Sequence, residues 1–205
     1  MTKIKSLFIT LLLTLGVSSA IAGSHGSTLD IVKERGKLMC GSNTGLAGFG
    51  NPNDAGVWEG IDVDVCRAVA AAVLGDSMAV EFVPTTSKVR FTVLQSGEID
   101  MLSRNTTWTL QRDVELGLEF VGVNYYDGQG FMVRKDLGVS SATELDGASV
   151  CIQVGTTTEM NLADYFKANG MSYEPIPVET NSEADAAYLA GRCDIYTTDA
   201  SGLYA

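Results

Sequence analysis

An α/β fold built around largely parallel sheets is predicted by three observations. Short apolar runs rich in β-branched residues alternate with segments of helical spacing along nearly the whole chain, the grammar of βα units. Glycine closes several of the helical segments, at Gly75, Gly97 and Gly170, where a left-handed cap is wanted. The pattern also occurs twice. Leu94-Gln95-Ser96-Gly97-Glu98-Ile99-Asp100-Met101 aligns with Tyr188-Leu189-Ala190-Gly191-Arg192-Cys193-Asp194-Ile195, each a helix end, a glycine and a buried strand. Eight residues beyond each glycine stand Asn105 and Asp199, so each half delivers a polar side chain to the carboxyl end of a strand, where ligands bind in open α/β sheets.

The first 22 residues are predicted to be a secretory leader. Lys3 and Lys5 start it, an apolar run follows from Leu7 to Val17, and Ala20-Ile21-Ala22 is a small-x-small cleavage site. The run is too short to span a bilayer comfortably. The leader carries two lysines and no acid, so its removal takes the formal charge from −11 to −13. An acidic chain without a basic stripe argues against a nucleic-acid partner.

After a small polar tail, Leu29, Ile31 and Val32 suggest a short helix with Thr28 or Asp30 as its cap, and 37–41 a first strand. A Gly- and Asn-rich loop fills 42–56. The stretch 58–63 looks extended, and 64–74 is an Ala/Val-rich helix with Asp64 as its N-cap. A strand over 80–83, a helix over 87–95 and a strand over 99–103 complete the first half. In the second half, strands are expected over 130–134, 149–154, 173–178 and 193–197, with helices over 160–169 and 184–189. The 149–154 run is apolar apart from Ser149 and Gln153, as a strand covered on both faces should be. Pro175 and Pro177 place 173–178 at a sheet edge. The lobes are expected over 23–126 and 127–205, with residues 125–130 between them as a hinge. Residues 201–205 look like a helix start with nothing to close it, and the expectation is that a further C-terminal part belongs to this protein.

Four cysteines follow the leader: Cys40, Cys66, Cys151 and Cys193. An exported chain with an even count suggests disulfides, and there is no CxxC for zinc. Three pairings are open; the two-lobe organisation favours Cys40–Cys66 and Cys151–Cys193, and buried free thiols are the alternative. The single histidine, His25, lies beside the cleavage site, which leaves no Ser-His-Asp set and no histidine metal site. Asp62-x-Asp64 suggests a metal site less well than a helix N-terminus, and neither metal nor cofactor is expected.

The informative polar groups suit a zwitterion. Arg112, with Asn105, Thr106 and Thr107 before it, offers a guanidinium that can grip a carboxylate bidentately, against the plain alternative of a surface ion pair. Asp199 can accept from an ammonium or cap the segment that starts at Ser201. Gly155-Thr156-Thr157-Thr158-Glu159 opens a helix after a buried strand, with Thr156 and Glu159 spaced as a capping box. Free N–H groups there, with the Thr157 hydroxyl, also suit an anion. Tyr125-Tyr126 is core by default.

The segments 60–73, 90–113, 120–135, 150–159 with 161–166, and 190–205 together resemble periplasmic solute-binding proteins of polar amino-acid ABC transporters, most closely the general L-amino-acid-binding type. The resemblance implies a type II periplasmic-binding-protein fold, with ligand between two hinged α/β lobes that close on it. It implies that Arg112 clamps the ligand carboxylate and that Asp199 pairs with the ammonium. Asn105 and Thr107 would give contacts from the first lobe, and Thr156 and Thr157 from the second. Gln153 and Thr198 match wall positions. Leu46 stands where narrower binders carry an aromatic or acid, which implies a broad amino-acid range. The implied partners are a free L-amino acid and an inner-membrane ABC permease, with the binding protein a monomer. Members of the family cross back to the first lobe after the Asp199 region, a segment this sequence does not contain. The competing expectations are a periplasmic cyclohexadienyl or arogenate dehydratase, a receptor sensor domain, or an inactive gene remnant.

Overall fold

The computed structural model describes residues 26–205, so the leader and His25 lie outside the described residues. Helix α1 (Thr28–Arg35) is capped by Ser27, whose hydroxyl accepts from the Asp30 N–H while Asp30 reaches back to the Ser27 N–H. Asp30 is therefore the third helical residue of a capping box rather than the cap. Strand β1 (Leu38–Ser42) leads through a loop with the short pair β2 (Asn51–Pro52) and β3 (Trp58–Glu59) into helix α2 (Ile61–Leu74). Then follow β4 (Val80–Pro84), α3 (Arg90–Gln95) and β5 (Met101–Leu102). These strands form a parallel sheet in the order β4-β1-β5.

A π-helical turn (Gln111–Glu115) begins the passage to the second sheet. Next come β6 (Gln129–Val133), β7 (Ser149–Gln153), α4 (Thr157–Ala168), β8 (Glu174–Val178), α5 (Asn181–Leu189) and β9 (Ile195–Asp199). The second sheet runs β6-β9-β7-β8, with β6 antiparallel to β9 and the other pairs parallel. β8, with Pro175 and Pro177, is an edge strand as expected.

The period of two along the central strands divides this lobe into layers. Val150, Ile152 and Ile195 pack with Leu162 and Phe166 of α4. Cys151, Cys193 and Tyr196 face the other way, toward Ala184, Ala187 and Tyr188 of α5. The first lobe has a smaller described core of Val32, Leu38 and Ala70. Both favoured cysteine pairs are bonded, Cys40–Cys66 tying β1 to α2 and Cys151–Cys193 tying β7 to the turn before β9.

The expected extended run over 58–63 is corrected: pairing stops at Glu59 and α2 begins at Ile61. Gly60 makes the corner, with φ 121° and no room for a side chain, since a Cβ would overlap the Phe49 carbonyl. Gly60 is also the N-cap, so Asp64 is not; Asp64 lies in the first turn, facing Arg67 at 3.2 Å. The helix over 87–95 starts only at Arg90, and the strand over 99–103 pairs only at Met101–Leu102.

Asp62, in the same first turn, is wholly buried. Its Oδ1 accepts from Asn124 Nδ2 at 2.6 Å, and its Oδ2 has no partner among the described residues. Burial raises its pKa from 3.8 to about 6, against the opposing effects of the Asn124 bond and the Arg104 charge. The folded state thus holds this proton more tightly than the unfolded chain does. The group's effect on stability is neutral below pH 4, grows unfavourable between pH 4 and pH 6, and levels off above that at about 3 kcal/mol.

Two outcomes follow from this packing. Gly60→Ala should lose roughly 2 kcal/mol or more in urea unfolding, because the new Cβ meets backbone; a loss under about 0.5 kcal/mol would contradict the corner as described. Asp62→Asn should gain stability relative to wild type between pH 4 and pH 7, since the amide keeps the Asn124 bond without the buried charge. Parallel pH–stability curves for the two proteins would refute the assignment.

Candidate functional site

The carboxyl ends of β1, β5, β7 and β9 converge. Asn43, just beyond β1, donates from Nδ2 to Asn105 Oδ1 at 3.1 Å and to Asn181 Oδ1 at 3.2 Å. Asn105 in turn donates from Nδ2 to Asp199 Oδ2 at 3.5 Å. The repeat places these two residues. In each lobe the helix-ending glycine has positive φ, 76° at Gly97 and 71° at Gly191. The aspartate three residues later then accepts the N–H that starts a central strand: Asp100 from Met39 at 2.7 Å, Asp194 from Ser149 at 2.9 Å. With both chains anchored in this way, Asn105 and Asp199 emerge at matching strand ends and meet.

A cavity of about 920 Å³ opens beside this junction, reaching under the passage between the sheets. Asn105, Thr107, Thr157 and Asp199 line it. The Thr107 and Thr157 hydroxyls lie 2.9 Å apart, so the two lobes touch across the cleft.

Arg112 projects from the π-helical turn, a local widening often found at functional sites. Its guanidinium donates to the Thr107 carbonyl at 2.7 Å and lies 5.0 Å from the Phe91 ring centroid, and the residue is buried. It is no surface ion pair. Burial lowers its pKa while Asp199 works the other way. The Asp199 carboxyl is raised above the usual carboxylate range by burial, in spite of its bond from Asn105 and the nearby Arg90 and Arg112. Asp199 does not cap the following 3-10 turn (Ser201–Leu203), where Ala200 takes that place.

Arg112 itself, Thr156, Gln153, Thr198 and Leu46 stand outside the cavity lining, whereas Tyr125 and Tyr126 belong to it. Thr156 is the N-cap of α4: its hydroxyl accepts from the Glu159 N–H at 3.1 Å and donates to the Gln153 carbonyl at 2.7 Å. The expected capping box is only half formed, because Glu159 accepts from the Gly155 N–H at 2.8 Å rather than from that of Thr156. Gln153 is buried and donates to the Glu179 carbonyl at 2.9 Å. Thr198 is buried next to Gly202. Leu46 is buried where its loop bridges to Gly50, also against the Gly202 position. Asp62 and Asp64 diverge, one buried on Asn124 and the other exposed on Arg67. Tyr125 and Tyr126 are exposed, at 49% and 88%, not core.

Two arginines escaped the sequence reading. Arg90 is 2% exposed, donating to the Asn105 carbonyl at 3.2 Å, the Thr106 hydroxyl at 3.0 Å and, across the cleft, the Gly155 carbonyl at 3.3 Å. Burial, with Arg104 and Arg112 nearby, pushes it down from 12.5 to about 8, against the pull of Asp199. Arg104 is buried as well and is held by the Thr85 carbonyl at 2.8 Å and the Ser87 hydroxyl at 3.2 Å. Burial brings it to about 10, partly offset by Asp62. A charge at the inward position of an otherwise apolar helical stripe, Arg90 with Val93 and Leu94, was the available signal.

Residues 38–190 match the model of the bacterial extracellular solute-binding proteins, family 3. The glutamate/glutamine/aspartate/asparagine-binding protein of Rhodobacter capsulatus is 61% identical over 93% of this chain and 56% of its own length. The general L-amino acid-binding periplasmic protein of Rhizobium johnstonii is 60% identical over 94% of this chain and 55% of its own. A periplasmic binding protein from Brucella ovis, solved with glutathione bound, superposes with a TM-score of 0.83 at 60% identity, covering 88% of this chain and 57% of that one. The chain thus spans somewhat over half the length of these relatives. Its two α/β lobes have the type II periplasmic-binding-protein architecture, and the chain belongs to the bacterial extracellular solute-binding proteins of family 3.

Proposed function

We propose that this protein binds free L-amino acids over a broad range in the periplasm and delivers them to an ABC permease, as a monomer. The observation that carries the reading is the pairing of a buried guanidinium at Arg112, with no carboxylate bonded to it, with a half-buried carboxylate at Asp199 that lines the cavity. An α-amino acid presents the complementary pair of charges on one carbon. Asn105, Thr107 and Thr157 supply neutral hydrogen-bonding groups from both lobes. Thr156 acts by holding the α4 terminus, and Gln153, Thr198 and Leu46 act as the packed wall behind it. The names of the relatives support amino-acid binding over turnover by a dehydratase.

The proposal includes cleavage after Ala22, lobes over 23–126 and 127–205, and a hinge over residues 125–130. Ligand contacts from both lobes would shift the population toward a closed form that the permease accepts. The passage into β6 supports the hinge, because residues 116–128 lie outside helices and strands.

Arg112→Ala should weaken amino-acid binding by more than ~2 kcal/mol, as charge-assisted bonds in a desolvated site are lost. An unchanged calorimetric affinity would sink the assignment. Acid should also weaken binding. Asp199 must be ionised to accept from an ammonium, and its raised pKa means it takes up a proton above the ordinary carboxylate range. Affinity should therefore fall on acidification through that raised pKa in wild type but not in Asp199→Asn. Equal pH profiles for the two would count against Asp199 as the ammonium partner.

A further inference from the structure

Asp199 is the last residue of β9, and the neighbouring strand reaches over to fix the chain just beyond it. Gln129 of β6 pairs with Asp199, and two residues before Gln129 stands Asp127. The turn after Asp199 starts with free N–H groups, and Ala200, at its cap position, has no side chain to satisfy them. Asp127 does so from the segment entering β6. Its carboxylate accepts from the Ser201 N–H, with both oxygens at 3.3 Å, and from the Ser201 hydroxyl. It also accepts from the Gly128 N–H at 2.8 Å, while the Gly128 carbonyl accepts from the Ala200 N–H at 2.6 Å. Residues 200 and 201 are thus clamped to residues 127 and 128.

Charge and placement agree. Asp127 and Asp199 line the same cavity. The charged groups that face Asp199 are Arg90 of α3, Arg104 beyond β5, Arg112 of the π-helical turn and Asp127, and Tyr196 of β9 is a further titratable neighbour. Asp127 is the negative one among them, and it opposes the arginines by raising the Asp199 pKa. Asp127 is itself exposed, so salt should screen that effect.

We propose that Asp127 is a positioning residue for Asp199: it holds the turn that follows Asp199 and places a second negative charge beside it. The proposal rests on the amino-acid-binding reading, in which Asp199 accepts from the ammonium, and adds a residue to it. Because Asp127 lies in the passage between the lobes, the same clamp ties the ammonium acceptor to the proposed hinge.

Two tests need no ligand. The Asp199 carboxyl is titrated by carbon NMR, and the Ser201 amide is followed by hydrogen exchange, in wild type, Asp127→Asn and Asp127→Ala. In both variants Asp199 should titrate at a lower pH than in wild type, because a like charge is gone. Exchange at Ser201 should quicken at least about ten-fold in Asp127→Ala, and less in Asp127→Asn, whose amide oxygen can still accept. Calorimetry with L-glutamine at pH 8 should then show affinity at least about five-fold lower in Asp127→Ala, the usual scale of a lost cap. An Asp199 titration that stays where it is in both variants overturns the proposal, and so does a folded Asp127→Ala protein with wild-type affinity. Wild-type protein that binds no amino acid overturns the amino-acid reading instead, and the Asp199 titration still decides whether Asp127 acts on Asp199.

Discussion

A guanidinium cannot be neutralised cheaply, so a buried arginine dictates where oxygen atoms must go around it. Arg90 imposes that condition on both lobes at once. It fixes the Asn105 carbonyl and the Thr106 hydroxyl at the end of β5, and it reaches the Gly155 carbonyl at the start of α4. The backbone of the loop after β5 then sets the rest of the site. Thr107 turns its carbonyl to Arg112 and its hydroxyl to Thr157, and Asn105 turns its amide between Asn43 and Asp199. Removing the Arg90 guanidinium would withdraw the bonds that tie the loop after β5 to the start of α4.

The two lobes reach this junction by the same local device. A glycine with positive φ ends a helix, an aspartate three residues on accepts from the first residues of the central strand, and the chain continues into a strand whose end carries the site. The anchoring matters because strand ends are otherwise free to fray. With Asp100 and Asp194 fixed, Asn105 and Asp199 need no loop of their own to find each other, which suits a site built from fixed charges and dipoles.

That device is why much of the fold was legible in the sequence. Gly97 and Gly191, the apolar runs of β7 and β9, the prolines of β8 and the Thr156 cap are local signals that tertiary packing reinforces. The cysteine pairs were legible for the same reason, each closing within one lobe. The failures arise where tertiary contact overrides local pattern. Residues 58–63 alternate like a strand, yet Gly60 turns the chain because Phe49 occupies the space a side chain would need. Leu46, Gln153 and Thr198 are buried outside the lining of the large cavity, a placement that no spacing encodes. Arg90 and Arg104 were passed over because a lone arginine near a strand end looks like a surface charge; only burial reveals the cost that makes each informative.

The contacts that now join the lobes also bear on how a ligand would compete for the cleft. The Thr107–Thr157 hydroxyl pair, the Asn43–Asn181 amide pair and the Arg90–Gly155 bond are neutral or singly charged contacts, each worth about 1 kcal/mol or a little more net. An amino acid seated between Arg112 and Asp199 would exchange some of them for charge-assisted bonds, which are roughly twice as strong. The gain would come from groups that burial disfavours in their charged forms, the arginines lowered and the aspartate raised in pKa. Direct lobe-to-lobe bonds keep the surfaces in register, while the unmatched charges leave the stronger interactions for a ligand to make. Specificity would then follow from how completely a ligand matches those charges, more than from Leu46, Gln153 and Thr198, which are buried outside the cavity lining.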